Sequence, residues 1–172
     1  MKDKSQLPKL PRHVVSHEAA HAVIAHLVGV RVVELSIKPL KKVWPEDPAC
    51  AKHGCVTTTL HGDDIDRFLT KLFDGRATFE DAIGMMMVYL AGPVSEGNMR
   101  GGLSDRDKAV AIAFAFTEGD EKSAKAMVSA ATSRVAGLVR KYRPTITKLS
   151  QALTTSQELR GHELQRILRQ AA

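Results

Sequence analysis

Long hydrophobic runs are missing from this sequence, and their absence excludes a membrane-spanning helix. No stretch approaches the roughly 18 consecutive apolar residues that a span requires. The first eleven residues, Met1 to Pro11, carry lysines and prolines where a secretion signal needs an apolar segment, so a cytoplasmic protein is expected. Cysteine is scarce. With no secretion signal, Cys50 and Cys55 are expected to be free thiols, although His53 between them leaves a second metal site or a disulfide open. No internal repeat occurs. Nor does any glycine-rich phosphate loop ending in Lys-Ser/Thr, so nothing here predicts nucleotide hydrolysis.

What remains is the composition of an ordinary folded domain. A chain of 172 residues with 44% hydrophobic and 26% charged residues can bury a real core. Residues 1–10 read as a loose leader and 11–172 as a single domain. Eight Lys/Arg against Glu158 and Glu163 lie between Arg134 and Ala172, enough to account for the whole net charge of +6. A nucleic-acid surface is one reading of that tail. Its lone aromatic, Tyr142, and the lack of a nucleic-acid motif favour a solvated helical face.

The chemistry concentrates in Pro11 to Gly29. Pro11 suits a helix start and Gly29 the position after a helix end, while Val15, Ala19, Ala22, Val23 and Leu27 recur at helical spacing. Within this stretch stands His17-Glu18-Ala19-Ala20-His21, the HExxH pattern. One helical turn puts the two histidines on one face, about 5–6 Å apart at Cβ, so both rings can reach one metal ion. Zinc takes imidazole nitrogen readily, and a catalytic site adds a third protein ligand and a water. Glu18, rotated by about 100° from His17, would stand beside that water as a general base. Three residues are a short motif, matched by chance in ordinary helices. Two histidines and a glutamate on a largely apolar helix, however, are costly unless something satisfies them. His13, one turn earlier, reads as a partly exposed neighbour, and His26 stands in the wrong relation to be a third histidine ligand.

Along the rest of the chain, Arg31–Pro39 alternates like a strand and Gly54–Leu60 is β-branched, so the two are expected to pair antiparallel. Lys41–Lys52, with Trp44, reads as a loop, and 61–76 as a turn with a short amphipathic segment. Thr78 with Asp81 forms a capping pattern ahead of an apolar helix over Ala82–Glu96. In it Met85, Met86 and Met87 read as core filler, Gly84 and Gly92 would allow close helix approach, and Pro93 should kink or interrupt it. After a glycine-rich loop, Ser104–Asp107 reads as a cap for a helix over Lys108–Phe116. Helices over 120–142, 145–153 and 161–170 follow. The sum is a mainly α fold of about six helices and a small antiparallel sheet around the HExxH helix. A third ligand could be Asp105, but at a helix N-terminus a carboxylate is equally a cap or a dipole partner.

Here the chain resembles the peptidase domain of the FtsH family of ATP-dependent zinc metalloproteases. Val15-Ser-His-Glu-Ala-Ala-His-Ala-Val resembles that family's His-Glu-Ala-Gly-His helix, and Val33–Pro39 and Gly54–Thr57 resemble its following strands. Phe79–Glu96 is similar to its apolar helix. Gly102-Leu-Ser-Asp105 is similar to its Gly-Ala-Ser-Asn-Asp segment, and Leu159-Arg-Gly-His-Glu-Leu to its closing helices. The resemblance implies zinc held by His17, His21 and Asp105, with Glu18 as general base and Glu96 as a supporting acid that could orient a histidine. It also implies a polypeptide substrate, an oligomer as a possibility, and an ATPase, which here would have to be a separate partner. Ala20, Pro93 and Arg106 depart from the family pattern. The competing reading is a peptidase-like adaptor that cuts weakly or not at all, against which an intact Glu18 speaks.

Overall fold

The computed structural model describes residues 12–36, 57–60, 62–97 and 103–171. Its first helix, α1 (Arg12–Leu27), becomes the centre because so many of its residues are small. Ala19, Ala20, Ala22 and Ala25 are fully buried, and with Val23 and Ile24 they let neighbours close in from several directions. The helix ends by geometry as much as by sequence. Gly29 takes φ +81, and the Val30 N–H donates to Ala25 O at 2.9 Å, a left-handed closure that favours glycine.

Strands β1 (Val32–Ser36) and β2 (Thr57–Leu60) pair antiparallel as expected, with an irregularity between Val32 and Glu34. The sheet does not stop at two. β3 (Glu158–Arg160) pairs antiparallel with the other side of β1, giving the order β2-β1-β3. Leu159 lies opposite Leu35 and both are fully buried, while Arg160 meets Glu34 at 2.9 Å. A three-residue strand between two helices is too short for a period-2 pattern, so only the fold brings it to β1.

The helices follow sequence closely where local signals are strong. The expected amphipathic segment is a full helix, α2 (Gly62–Phe73), burying only Phe68 and Leu72. Thr78 and Asp81 form the reciprocal capping box, at 2.9 and 3.1 Å, that opens α3 (Phe79–Ser95). Every residue of α3 from Ala82 to Pro93 is buried except Tyr89, which is half-buried. Pro93 does not interrupt α3, which runs on to Ser95. Lying in the last turn, it removes one backbone hydrogen bond close to where the ladder ends anyway.

α4 (Leu103–Phe116) begins five residues earlier than expected, so Asp105 stands within its first turn rather than before the helix. α5 (Glu121–Lys141) is capped by Asp120, α6 (Arg143–Ser156) carries Pro144 in its first turn, and α7 (Gly161–Leu168) runs into a 3-10 turn at Arg169–Ala171. Seven α-helices thus occur among the described residues, one more than the sequence suggested. α1 packs on α3, α6 and the sheet, and α3 packs in turn on α4 and α5. The leader, Trp44, and the Cys50–His53–Cys55 group lie outside the described residues, as do residues 37–39 and 54–56 of the two expected strands.

Candidate metal centre

Three elements converge on one point. α1 supplies His17 and His21, whose ring centroids are 4.7 Å apart and inclined at 68°. α4 supplies Asp105, and α3 supplies the space between them. His17 Nε2 lies 3.2 Å from Asp105 Oδ2, and His21 Nε2 lies 3.3 Å from the same oxygen. The predicted ligand atoms all fall within 4.8 Å of one another. For a tetrahedral zinc with bonds of about 2.0–2.1 Å, neighbouring donors stand about 3.3–3.4 Å apart, so the two separations from Asp105 Oδ2 match that ion.

The hydrogen-bond pattern fits a cation too. His21 Nδ1 is 2.6 Å from the Val88 carbonyl oxygen, which can only accept, so Nδ1 carries the hydrogen. In neutral His21 the Nε2 lone pair then faces a carboxylate oxygen across 3.3 Å in a site where His21 is only 7% exposed. Two acceptors do not rest against each other in a buried place without a proton or a metal ion between them. His17 Nδ1 is buried 3.2 Å from Glu96 Oε1 without the geometry of a hydrogen bond. Glu96 is thus the acidic group beside the ring nitrogen of His17 that faces away from Asp105.

α3 makes room by having no side chain where the rings lie. A Cβ on Gly92 would come well under 3.0 Å from Nε2 of both His17 and His21. Gly84, the other glycine expected to ease helix packing, would place a Cβ at an ordinary 3.6 Å from Val28. So Gly92, and not Gly84, is the position that the site requires to be glycine.

The charges respond to the same arrangement. Burial works against the His17 imidazolium, but Asp105, Glu18 and Glu96 outweigh it, and His17 titrates above its ordinary value. Burial raises Asp105, yet the two histidines and Lys108 more than reverse it and hold the carboxyl well below the usual range. Glu18, on α1 next to His17, is half-buried and within electrostatic reach of that ring. His13 is exposed, His26 is half-buried, and neither joins the cluster.

Some of this had no signal in the sequence. The Val88 carbonyl is backbone and leaves no trace in residue identity. Lys108, 3.7 Å from Asp105 Oδ1 and 5.3 Å from the Tyr89 ring centroid, was legible only as a residue three positions after Asp105. Among the described residues no helix is long and apolar enough to cross a membrane. No protein-family model matches the chain, and no curated protein matches it.

Proposed function

We propose that this chain is a zinc-dependent metalloendopeptidase of the FtsH peptidase type, acting on peptides and unfolded polypeptide. One observation carries the reading: His17 Nε2, His21 Nε2 and Asp105 Oδ2 converge at zinc-donor spacing, on an HExxH helix, against a glycine that leaves the rings free. When bound, zinc polarises a peptide carbonyl and makes a water acidic enough to attack it. The residues of the chain would do the rest. His17, His21 and Asp105 hold the ion, and Glu96 steadies His17. The Glu18 carboxylate takes a proton from the attacking water and returns it to the nitrogen of the leaving amine as the C–N bond breaks. Among the described residues β2 and β3 are the two edges of the sheet, and an extended substrate could add to an edge as a further strand.

No phosphate loop occurs in these 172 residues, so energy for unfolding a substrate would come from an ATPase outside them. Opening a stable domain costs about 5–15 kcal/mol. By itself the chain should therefore cut an unfolded variant of a test protein and spare the folded form, with or without ATP.

The test is metal analysis of the purified protein together with cleavage of an unfolded casein-type substrate, with and without chelator. One zinc per chain and chelator-sensitive cleavage are expected. Glu18→Gln should keep the zinc and lose about a hundredfold or more in rate, the scale of general-base assistance. Equal rates for the two proteins would sink the catalytic role of Glu18. Zinc bound with no cleavage would point to a peptidase-like adaptor instead.

A further inference from the structure

Asp105 offers two oxygens, and the structure treats them differently. Oδ2 faces both histidines at 3.2 and 3.3 Å, while Oδ1 faces Lys108 Nζ at 3.7 Å. Lys108 is one turn further along α4, with its ammonium 5.3 Å from the centroid of the Tyr89 ring on α3. Tyr89 is half-buried in an otherwise buried stretch of that helix. We propose that Lys108, seated on Tyr89, is a positioning residue of the metal centre that keeps Asp105 bound to the ion through Oδ2 alone. The inference rests on the zinc reading above and adds a device that controls coordination number.

An i, i+3 ion pair on an exposed helix face is ordinarily worth little, because two long side chains must be ordered in water. Here the partner is only 20% exposed and already fixed by two rings, and the lysine rests on an aromatic face that attracts its charge. Charge acts in the same sense: Glu18, Glu96 and Asp105 all act on His17, and Lys108 sets a positive charge beside the last of them. A carboxylate free to rotate can bind through both oxygens and take the position a water needs; the Lys108 ammonium, 3.7 Å from Oδ1, draws that oxygen away from the ion by charge.

The experiment titrates zinc into chelator-stripped protein, and records the visible absorption of cobalt(II) placed in the same site. Lys108→Met should weaken zinc about tenfold, within the range for loss of an outer partner of a ligand. Its cobalt spectrum should fall in intensity, as it does when a four-coordinate ion becomes five-coordinate. Lys108→Arg should restore both readouts. Tyr89→Phe, which keeps the ring, should match the unmodified protein, and Tyr89→Leu should lose affinity in the same direction by less. Lys108→Met with unchanged zinc affinity and an unchanged cobalt spectrum overturns the proposal, even if its melting temperature drops. A protein that binds zinc while Lys108→Met binds it equally removes only the role of Lys108. If the unmodified protein takes up no zinc, the metal reading fails and the positioning role falls with it.

Discussion

Helices α1 and α5 are built from similar residue types and behave as opposites. α5 buries four of its 21 residues, Ala124, Met127, Ala131 and Val135, a single stripe at helical spacing. Its start is capped by Asp120, whose carboxylate accepts from the Lys122 N–H at 3.1 Å, and Arg140 and Lys141 stand in the last turn, where the helix dipole favours them. α1 buries eight of 16 residues, seven of them consecutively, and has no acidic residue in its first turn. It places a histidine in that buried run. α5 obeys each local rule for a stable surface helix, whereas α1 holds polar groups that only its partners can satisfy. Where local preference and the finished structure disagree, function is the usual reason.

That contrast can be broken from either side. The largest effect is expected from Asp105→Ala, which should lower zinc affinity by more than a hundredfold, beyond the about 10–100-fold typical of an outer partner. Circular dichroism should show its helix content nearly unchanged. Wild-type affinity in this variant would make Asp105 no more than a helix residue. The mirror experiment is Met127→Ala on α5, where the side chain is 6% exposed. Chemical denaturation should show a loss of about 2–4 kcal/mol from the cavity, with zinc affinity of the folded protein unaltered.

Gly92→Ala tests the boundary between the two kinds of region. Its methyl group would enter the space of both rings, so stability should drop by about 1–3 kcal/mol and zinc affinity should drop with it. Gly84→Ala, which meets only Val28 at ordinary contact distance, should keep full zinc affinity. Matching zinc losses in the two variants would mean that Gly92 matters for helix packing alone.

The pH dependence sharpens the comparison further. In metal-free protein His17 is raised above 6.5 and Asp105 is lowered below 3.8. The raised histidine contributes stability that is complete below its unfolded value of 6.5 and is lost as pH rises through its folded value. The lowered aspartate contributes stability present above 3.8 and lost as pH falls through its folded value. Thermal melts without metal should therefore show stability from this pair highest between those two values and declining above pH 6.5. With zinc the trend should reverse, because the ligands must shed protons to bind it. Parallel slopes with and without zinc would count against a shared site.

The smallest effect should come from Thr78→Ala at the head of α3, about 1 kcal/mol for a lost capping box and no change in zinc affinity. A change in affinity there would mean that the start of α3 is coupled to Gly92 along the helix.

How much of this was legible beforehand depends on the range over which each feature is set. The spacing of His17 and His21 follows from helix geometry alone, and so does the position of Glu18 beside them. The Thr78–Asp81 box, the Gly29 closure and the β1–β2 pairing are set by residues close together in the chain or by plain alternation. Other features join distant segments, and there the reading went only part of the way. β3 is three residues between helices and exists because β1 has a second edge to offer. Pro93 stays helical because of where it falls in α3, which propensity by itself does not say.

By itself the sequence determined a mainly helical domain with an HExxH helix, since periodicity and capping act within one or two turns. Tertiary structure alone decided which Asp105 oxygen meets which histidine nitrogen, 88 residues away from His17 in sequence. It also decided that the Val88 carbonyl sets the hydrogen on His21, and that Gly92 must have no side chain. The physical reason is that a buried polar group is satisfied by whatever the packing of whole helices brings within about 3 Å, and no local preference specifies that partner.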